Sequence, residues 1–355
     1  MKQMRIAIIG QGRSGRDIHG AFLLNDKSER YKVVAVCDWK ADRRERAAKD
    51  FGCDVYEDYR ELFKRDDIDL VVNSTFSYEH CPVTLDLLSH GFNVLVEKPF
   101  AMTEADCKKM IDTAYENNVK LFVFQQSRFA PYYTKIREIV DSGVLGKIEQ
   151  ISISFSGFAR RWDWQCSQRF GGGGLYNTGP HPLDQALDLL DFDPQTTLLY
   201  SRLDTLNTYG DADDYAKLLI TAPGKPLIDL EVSSANGYFK DNYVIHAKNG
   251  SLRATLREIQ YKYFVPLENV DHTLILEPLC HENGYPAYCS EKLNWHEETI
   301  SLDGSAFDVG TSRYYDMVYR CLFEGRRPEI EPWQSMMQIQ ISEQVHRDNP
   351  LTIKY

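Results

Sequence analysis

The sequence has no long apolar run, no surplus of positive charge, no paired cysteines and no low-complexity linker, and each absence removes a class of protein. No stretch approaches the roughly 20 apolar residues that a membrane-spanning helix needs. Lys and Arg number 41 against 52 Asp and Glu, a formal net charge of -11. That balance sets aside nucleic acid and anionic membrane as main partners, yet leaves room for a small anionic ligand in a locally basic cleft. The 8 cysteines are scattered without a Cys-x-x-Cys pair, so Cys280, His281, Cys289 and His296 are not read as metal ligands and no metal site is expected. With no secretory leader at the N-terminus, reduced thiols and a cytoplasmic location are the expectation.

What is present is a 355-residue chain, 43% hydrophobic and 26% charged, enough for two packed domains. The first, over 1–125, alternates strands and helices. An apolar run, Met4 to Ile9, meets Gly10-Gln-Gly-Arg-Ser-Gly15 and then helical sequence to Leu24. In a strand–loop–helix setting this is a dinucleotide fingerprint: Gly10 permits the turn, Gly12 lets a pyrophosphate reach the backbone and Gly15 lets helix and strand pack. Arg13 and Ser14 sit in the same loop. A second strand, Lys32 to Cys37, ends on Asp38, an acid placed to bind ribose hydroxyls and repel a 2′-phosphate, or simply to cap the helix Ala41 to Asp50. Lys40, Arg43 and Arg44 stand nearby, so NADP is disfavoured rather than barred.

The same grammar repeats through Asp69–Asn73, Phe92–Glu97 and Lys120–Phe124, which points to a doubly wound parallel sheet. Such sheets bind ligands beyond the carboxyl ends of their strands. Distinctive residues follow each strand there: Gly10–Gly15, Asp38, then Asn73, Ser74, Thr75 and Phe76 with His80 just beyond, Glu97-Lys98 and Gln125-Gln126. Lys98 follows an apolar run and precedes Pro99, which restricts it to extended backbone. It is either aimed at a nicotinamide ring or engaged in a salt bridge.

From about Lys147 the pattern changes to alternating strands at 148–155, 215–221, 227–233, 243–247, 252–257, 273–277 and 298–302. These predict an open, largely antiparallel sheet in an α+β domain over 126–355. The helical stretches Pro182–Leu190, Arg313–Phe323 and Trp333–Val345 are expected to cover one face, with the C-terminal ones able to return to the first domain. A second subunit would cover the other face, giving a homodimer or homotetramer.

Within this half, Gly171-Gly-Gly-Gly-Leu-Tyr-Asn-Thr-Gly-Pro-His-Pro-Leu-Asp184 runs from a glycine loop into a helix. Pro182 suits the first helical position and leaves His181 as the cap. Asn177 and His181 then leave the loop for one region, with Asp184 facing His181 three residues on. Tyr176 and Arg128 are further candidates for substrate contact. Ahead of the loop, Trp162 and Trp164 among three arginines form either a sugar-stacking wall or a packed or intersubunit loop.

Taken together, the fingerprint, Asp38, Glu97-Lys98-Pro99 and the GGG…H-x-x-D stretch resemble the Gfo/Idh/MocA family, named for glucose-fructose oxidoreductase and inositol dehydrogenase. The resemblance implies a Rossmann domain plus an open-sheet domain used for oligomerisation, and a tightly bound NAD or NADP. It also implies catalytic Lys98 and His181, and a cis Lys98–Pro99 peptide. Where the family often has aspartate four residues before the histidine, this chain has Asn177. A histidine without that charge stays near its ordinary value of about 6.5 and is mostly neutral at pH 7, with Asp184 left to supply a carboxylate. The expected activity is NAD-dependent oxidation of a secondary alcohol on a sugar, cyclitol or related polyol. The alternatives are an NAD-using glycoside hydrolase or lyase with transient oxidation, and a non-catalytic sugar or nucleotide sensor.

Overall fold

A computed structural model describes residues 2–355. The N-terminal part is a six-stranded sheet in the order β3-β2-β1-β4-β5-β6. Its strands are β1 (Met4–Ile9), β2 (Tyr31–Cys37), β3 (Asp54–Tyr56), β4 (Leu70–Asn73), β5 (Val94–Val96) and β6 (Leu121–Val123). Every pairing in it is parallel. That follows from strands apolar on both faces, which helices must cover from both sides. Helical turns over Arg13–Gly20 run into α1 (Ala21–Asn25), and α2 (Ala41–Phe51), α3 (His80–Ser89) and α4 (Glu104–Glu116) make the crossovers. Ala7, Ile9, Val71 and Val94 pack against Val83, Leu87 and Met110 of α3 and α4.

The opposite face of this sheet is covered partly from the far end of the chain. Ile6, Ile8, Val36 and Leu95 pack against Tyr314, Tyr315, Val318 and Cys321 of α8 (Thr311–Phe323). The stretch 313–323 therefore returns to the first sheet instead of covering the second. Its apolar spacing fits either sheet, and only the topology decides. Last comes α9 (Pro332–Asp348), which bridges the halves: Ile339 joins the first core, and Ile341 and Val345 join the second.

After α5 (Pro131–Asp141), the second sheet has eight strands in the order β16-β13-β12-β11-β7-β10-β9-β8. They are β7 (Ile148–Ser156), β8 (Thr197–Asp204), β9 (Tyr215–Thr221), β10 (Leu227–Ser233), β11 (Tyr243–Ala247), β12 (Gly250–Ala254), β13 (Glu258–Phe264) and β16 (Trp295–Ser301). All pairings are antiparallel except β7 with β10. The alternation works as expected of a sheet with one buried face. Ile151, Ile153, Leu218, Leu230 and Ile245 face the core with α5 and α7 (Pro180–Leu189). Neighbours of the other parity are polar: Ser152, Ser154, Lys217, Asp229 and Glu231, with Lys217 ion-paired to Asp229.

Two expectations differ in detail. The stretch 273–277 is not a strand: β13 pairs directly with β16, so the connection is left outside the ladder with only the short hairpin β14 (Leu279–Cys280) and β15 (Pro286–Ala287). The strand β8 and the short β3 were not foreseen, because neither has a clean apolar alternation.

Tyr314 is fully buried and its hydroxyl donates to the Val123 carbonyl. Tyr314→Ala should therefore lower stability by about 3–5 kcal/mol, the usual cost of emptying a large aromatic site. Chemical denaturation of the full chain measures it, and a loss under 1 kcal/mol would mean α8 does not hold the first sheet.

Candidate active site

The carboxyl ends of the first sheet open into a cleft of about 900 Å³, closed on its far side by residues of the second half. Gly10, Gly12, Arg13, Ser14, Asp38, Ser74, Thr75, Phe76, Glu97, Lys98 and Gln126 all line it. The glycine turn fits a pyrophosphate. A Cβ on Gly15 would run into the Gly10 carbonyl, so Gly15 serves close packing and does not itself line the cleft, whereas a Cβ on Gly12 would meet nothing nearer than Arg43 at 3.9 Å. The backbone there is open to a ligand. Asp38 accepts from the backbone N–H groups of Gln11 (2.7 Å) and Lys40 (2.9 Å), and Arg43 lies 3.3 Å away. A carboxylate has about four acceptor positions, so ribose hydroxyls still find an oxygen. Buried Gln126 has an Oε1 without a partner among the described residues, an acceptor waiting for a ligand donor. The residues present thus fit a dinucleotide.

At the inner end stand Lys98 and His181. The Lys98–Pro99 peptide is cis, and Lys98 Nζ donates to the Asn177 carbonyl at 2.8 Å. Burial draws the Lys98 pKa below its ordinary value; Glu97 opposes this, while Arg13 and Arg161 reinforce it. A proline at the start of α7 is Pro180, not Pro182, so His181 lies inside the first turn and not at its cap. Its Nδ1 meets Ser127 Oγ at 3.0 Å, which leaves Nε2 for the cleft. Burial, then the Lys98 charge, pushes His181 down to about 3, well below the value expected of an unperturbed ring. Asn177 closes the helical turn α6 (Gly174–Asn177). Its side chain donates to the Gln165 carbonyl at 3.2 Å.

Several proposed contacts fall elsewhere. Asp184 does not face His181: it is fully buried in a two-pronged ion pair with Arg128, at 2.9 and 2.5 Å. Neither residue of that pair lines the cleft. Tyr176 is buried too, bonded to the Met102 carbonyl and stacked on His346. His80 donates through Nδ1 to the Pro99 carbonyl from inside the fold. Trp162 is 79% exposed and packs edge-on to Tyr209 outside the cleft, whereas Trp164 lines it, edge-on to Phe76. The glycine run at 171–174 admits protein and not ligand, since a Cβ on Gly172 would strike the backbone at Gln165 and one on Gly173 the Asp213 carboxylate.

Arg43, and Arg161, Asp163 and Gln165 from the tryptophan-rich stretch, also line the cleft, together with three residues not foreseen: Trp39, Thr178 and Phe307. Trp39 and Arg43 follow the strand-end acid and are legible on that rule. Phe307 comes from the turn before α8 and carried no signal.

Two outcomes follow from this geometry. Asp184→Ala strands a buried guanidinium and should cost about 3–5 kcal/mol in thermal unfolding, with little change in substrate KM for the folded fraction. Burial alone would raise Glu97, but the hydrogen bond from His19 and the nearby charges of His19, Lys98 and His80 together outweigh it and hold the carboxyl down to about 2 against an ordinary 4.5. A depressed carboxyl stabilises the fold above its unfolded value and loses that contribution as pH falls through the folded one. Stability should therefore decline between about pH 4.5 and 2, and Glu97→Gln should flatten that decline in an acid titration followed by circular dichroism.

Comparison with known proteins agrees with this geometry. Residues 4–125 match the model of an oxidoreductase family with an NAD-binding Rossmann fold, and 133–253 match the GFO/IDH/MocA C-terminal domain. D-Glucoside 3-dehydrogenase of Escherichia coli K12 is 32% identical over 199 residues, 53% of this chain and 54% of that protein. Inositol 2-dehydrogenase of Salmonella typhimurium LT2 is 28% identical over 200 residues, 56% and 57% of the two chains. The matches thus span about half the length of these relatives. Among solved structures, the WlbA dehydrogenase from Bordetella pertussis, in complex with NADH and UDP-GlcNAcA, superposes with a TM-score of 0.74 at 20% identity over 100% of this chain and 98% of that one, a likeness of fold. The two matched domains in sequence, around one cleft at the ends of the parallel strands, place the chain in the Gfo/Idh/MocA family of oxidoreductases.

Proposed function

We propose that this protein is an NAD-dependent dehydrogenase acting on a secondary alcohol of a sugar, cyclitol or related polyol. The observation that carries the reading is that Lys98 and His181 line the same cleft as the glycine turn and Asp38. Residues 1–125 would bind the cofactor, and 126–355 would supply most of the substrate side and the oligomer contacts. When bound, NAD supplies the hydride acceptor, and the protein supplies everything else.

His181 is neutral at neutral pH, with Nδ1 held by Ser127. Its Nε2 takes the proton of the reacting hydroxyl. Lys98 keeps one N–H on the Asn177 carbonyl and turns the others to the substrate oxygen, where a cation stabilises developing negative charge. Trp164 and Phe307 offer apolar faces for the C–H side of a ring. Asp38 favours NAD over NADP by repelling a 2′-phosphate. The relatives named above as glucoside and inositol dehydrogenases support the substrate class. A homodimer or homotetramer through the polar face of the second sheet is part of the same proposal, because α5, α7 and α9 all pack on its other face.

Screening sugars, inositols and sugar acids for NADH formation, with NADP in parallel, tests the reading. Net NADH accumulation is expected with NAD; turnover of glycosides without it would favour transient oxidation instead. His181→Ala and Lys98→Met should each reduce kcat by about 10²–10⁴-fold while NADH still binds. Since His181 titrates near 3, a rate that needs it neutral should stay level from pH 7.5 to 5. Lys98 must remain charged and its pKa is lowered, so the rate should fall on the alkaline side before the ordinary lysine value of 10.5.

A further inference from the structure

Behind the cleft lies a buried group that the reaction as written does not use. His19 has 0% exposure, with both ring nitrogens engaged. Nε2 meets Glu97 Oε1 at 3.2 Å and Nδ1 meets the Tyr315 hydroxyl at 2.8 Å, while the Phe124 ring lies tilted against the imidazole, centroids 4.3 Å apart. The other oxygen of Glu97 accepts from the Lys98 backbone N–H at 3.0 Å. The three elements involved are the helical turn after β1, the end of β5, and α8.

A carboxylate buried this deeply is expensive to keep charged unless it is paired and hydrogen-bonded. Glu97 has both oxygens occupied by N–H donors, and the ring that serves one of them is pinned on its far side by Tyr315. On the cleft side, Lys98 is faced by Glu97, Arg13, Arg161 and His181. Of these only Glu97 is negative, and it favours the ammonium form. Residue 177 is an uncharged asparagine and offers Lys98 its backbone carbonyl alone.

We propose that His19 is a positioning residue for Lys98: together with Tyr315 it locks Glu97 as a carboxylate beneath the lysine, supplying from behind the site the negative charge that residue 177 lacks. His19 touches neither substrate nor cofactor in this arrangement and works through Glu97. The kinetic part of the test rests on the dehydrogenase reading; the titration of Lys98 does not.

Pulse acetylation with acetic anhydride over a pH series, read by peptide mass spectrometry on the full chain, follows the Lys98 titration without any turnover. In His19→Gln the Lys98 midpoint should fall by about one to two units, the usual size of a lost neighbouring charge, and the alkaline limb of turnover should move with it. Adding Asn177→Asp to His19→Gln should bring the midpoint back. Tyr315→Phe removes one buried oxygen but keeps the His19–Glu97 contact, so it should shift the midpoint the same way by less, and it stands in if His19→Gln does not fold. An unchanged midpoint in every one of these single variants that folds overturns the proposal, whatever the chain oxidises. A lowered midpoint with no NADH from any substrate upholds it and counts against the dehydrogenase reading instead.

Discussion

The site depends on holding a charged carboxylate and an ammonium next to each other where the first sheet ends, out of bulk water. Neither ion is stable there alone, because burial penalises both charges. Glu97 and Lys98 are adjacent in sequence at the end of β5, so the backbone fixes their spacing before any side chain packs. What remains is to satisfy the atoms they do not give each other. His19 does this for the acid and the Asn177 carbonyl for the base. One of these partners belongs to the fingerprint helix and the other to the glycine loop 79 residues after Lys98, which ties the cofactor half to the substrate half through two adjacent residues.

This coupling explains why the C-terminal residues matter to an N-terminal cleft. Through α8, Tyr315 reaches His19, Tyr314 reaches the β6 backbone and the turn before it brings Phe307 to the cleft. A separable Rossmann unit would have to cover Ile6, Ile8 and Val36 with something else. The chain instead folds its last helices over both sheets, so the geometry of the cleft and the stability of either half are not independent.

Much of this was readable from residues. Apolar runs bounded by glycine or acids gave the parallel strands, and the rule that ligands sit beyond their carboxyl ends selected Gly12, Asp38, Ser74, Lys98 and Gln126 as cleft residues. Most of the misplacements share one cause. Asp184, Arg128, Tyr176 and His80 are polar residues near the right places in sequence, yet each is turned inward to a buried partner. Whether a polar side chain faces ligand or protein depends on a partner far along the chain, as Arg128 shows 56 residues from Asp184. Phe307 is the converse case, an ordinary aromatic made into a cleft residue by tertiary return alone.

Burial and then the Lys98 charge draw His181 down, which leaves the ring neutral with its Nε2 lone pair free. In the reaction proposed above such a ring is a weak base, so more of the load rests on the cation at the reacting oxygen. Lowering a histidine by placing a lysine beside it is therefore not a defect of the site. Burial does most of the lowering and the Lys98 charge adds to it; on the proposed reading that same charge serves the reacting oxygen. With an uncharged Asn177 beside it, Lys98 depends for its charge on Glu97, the one negative group among those acting on it.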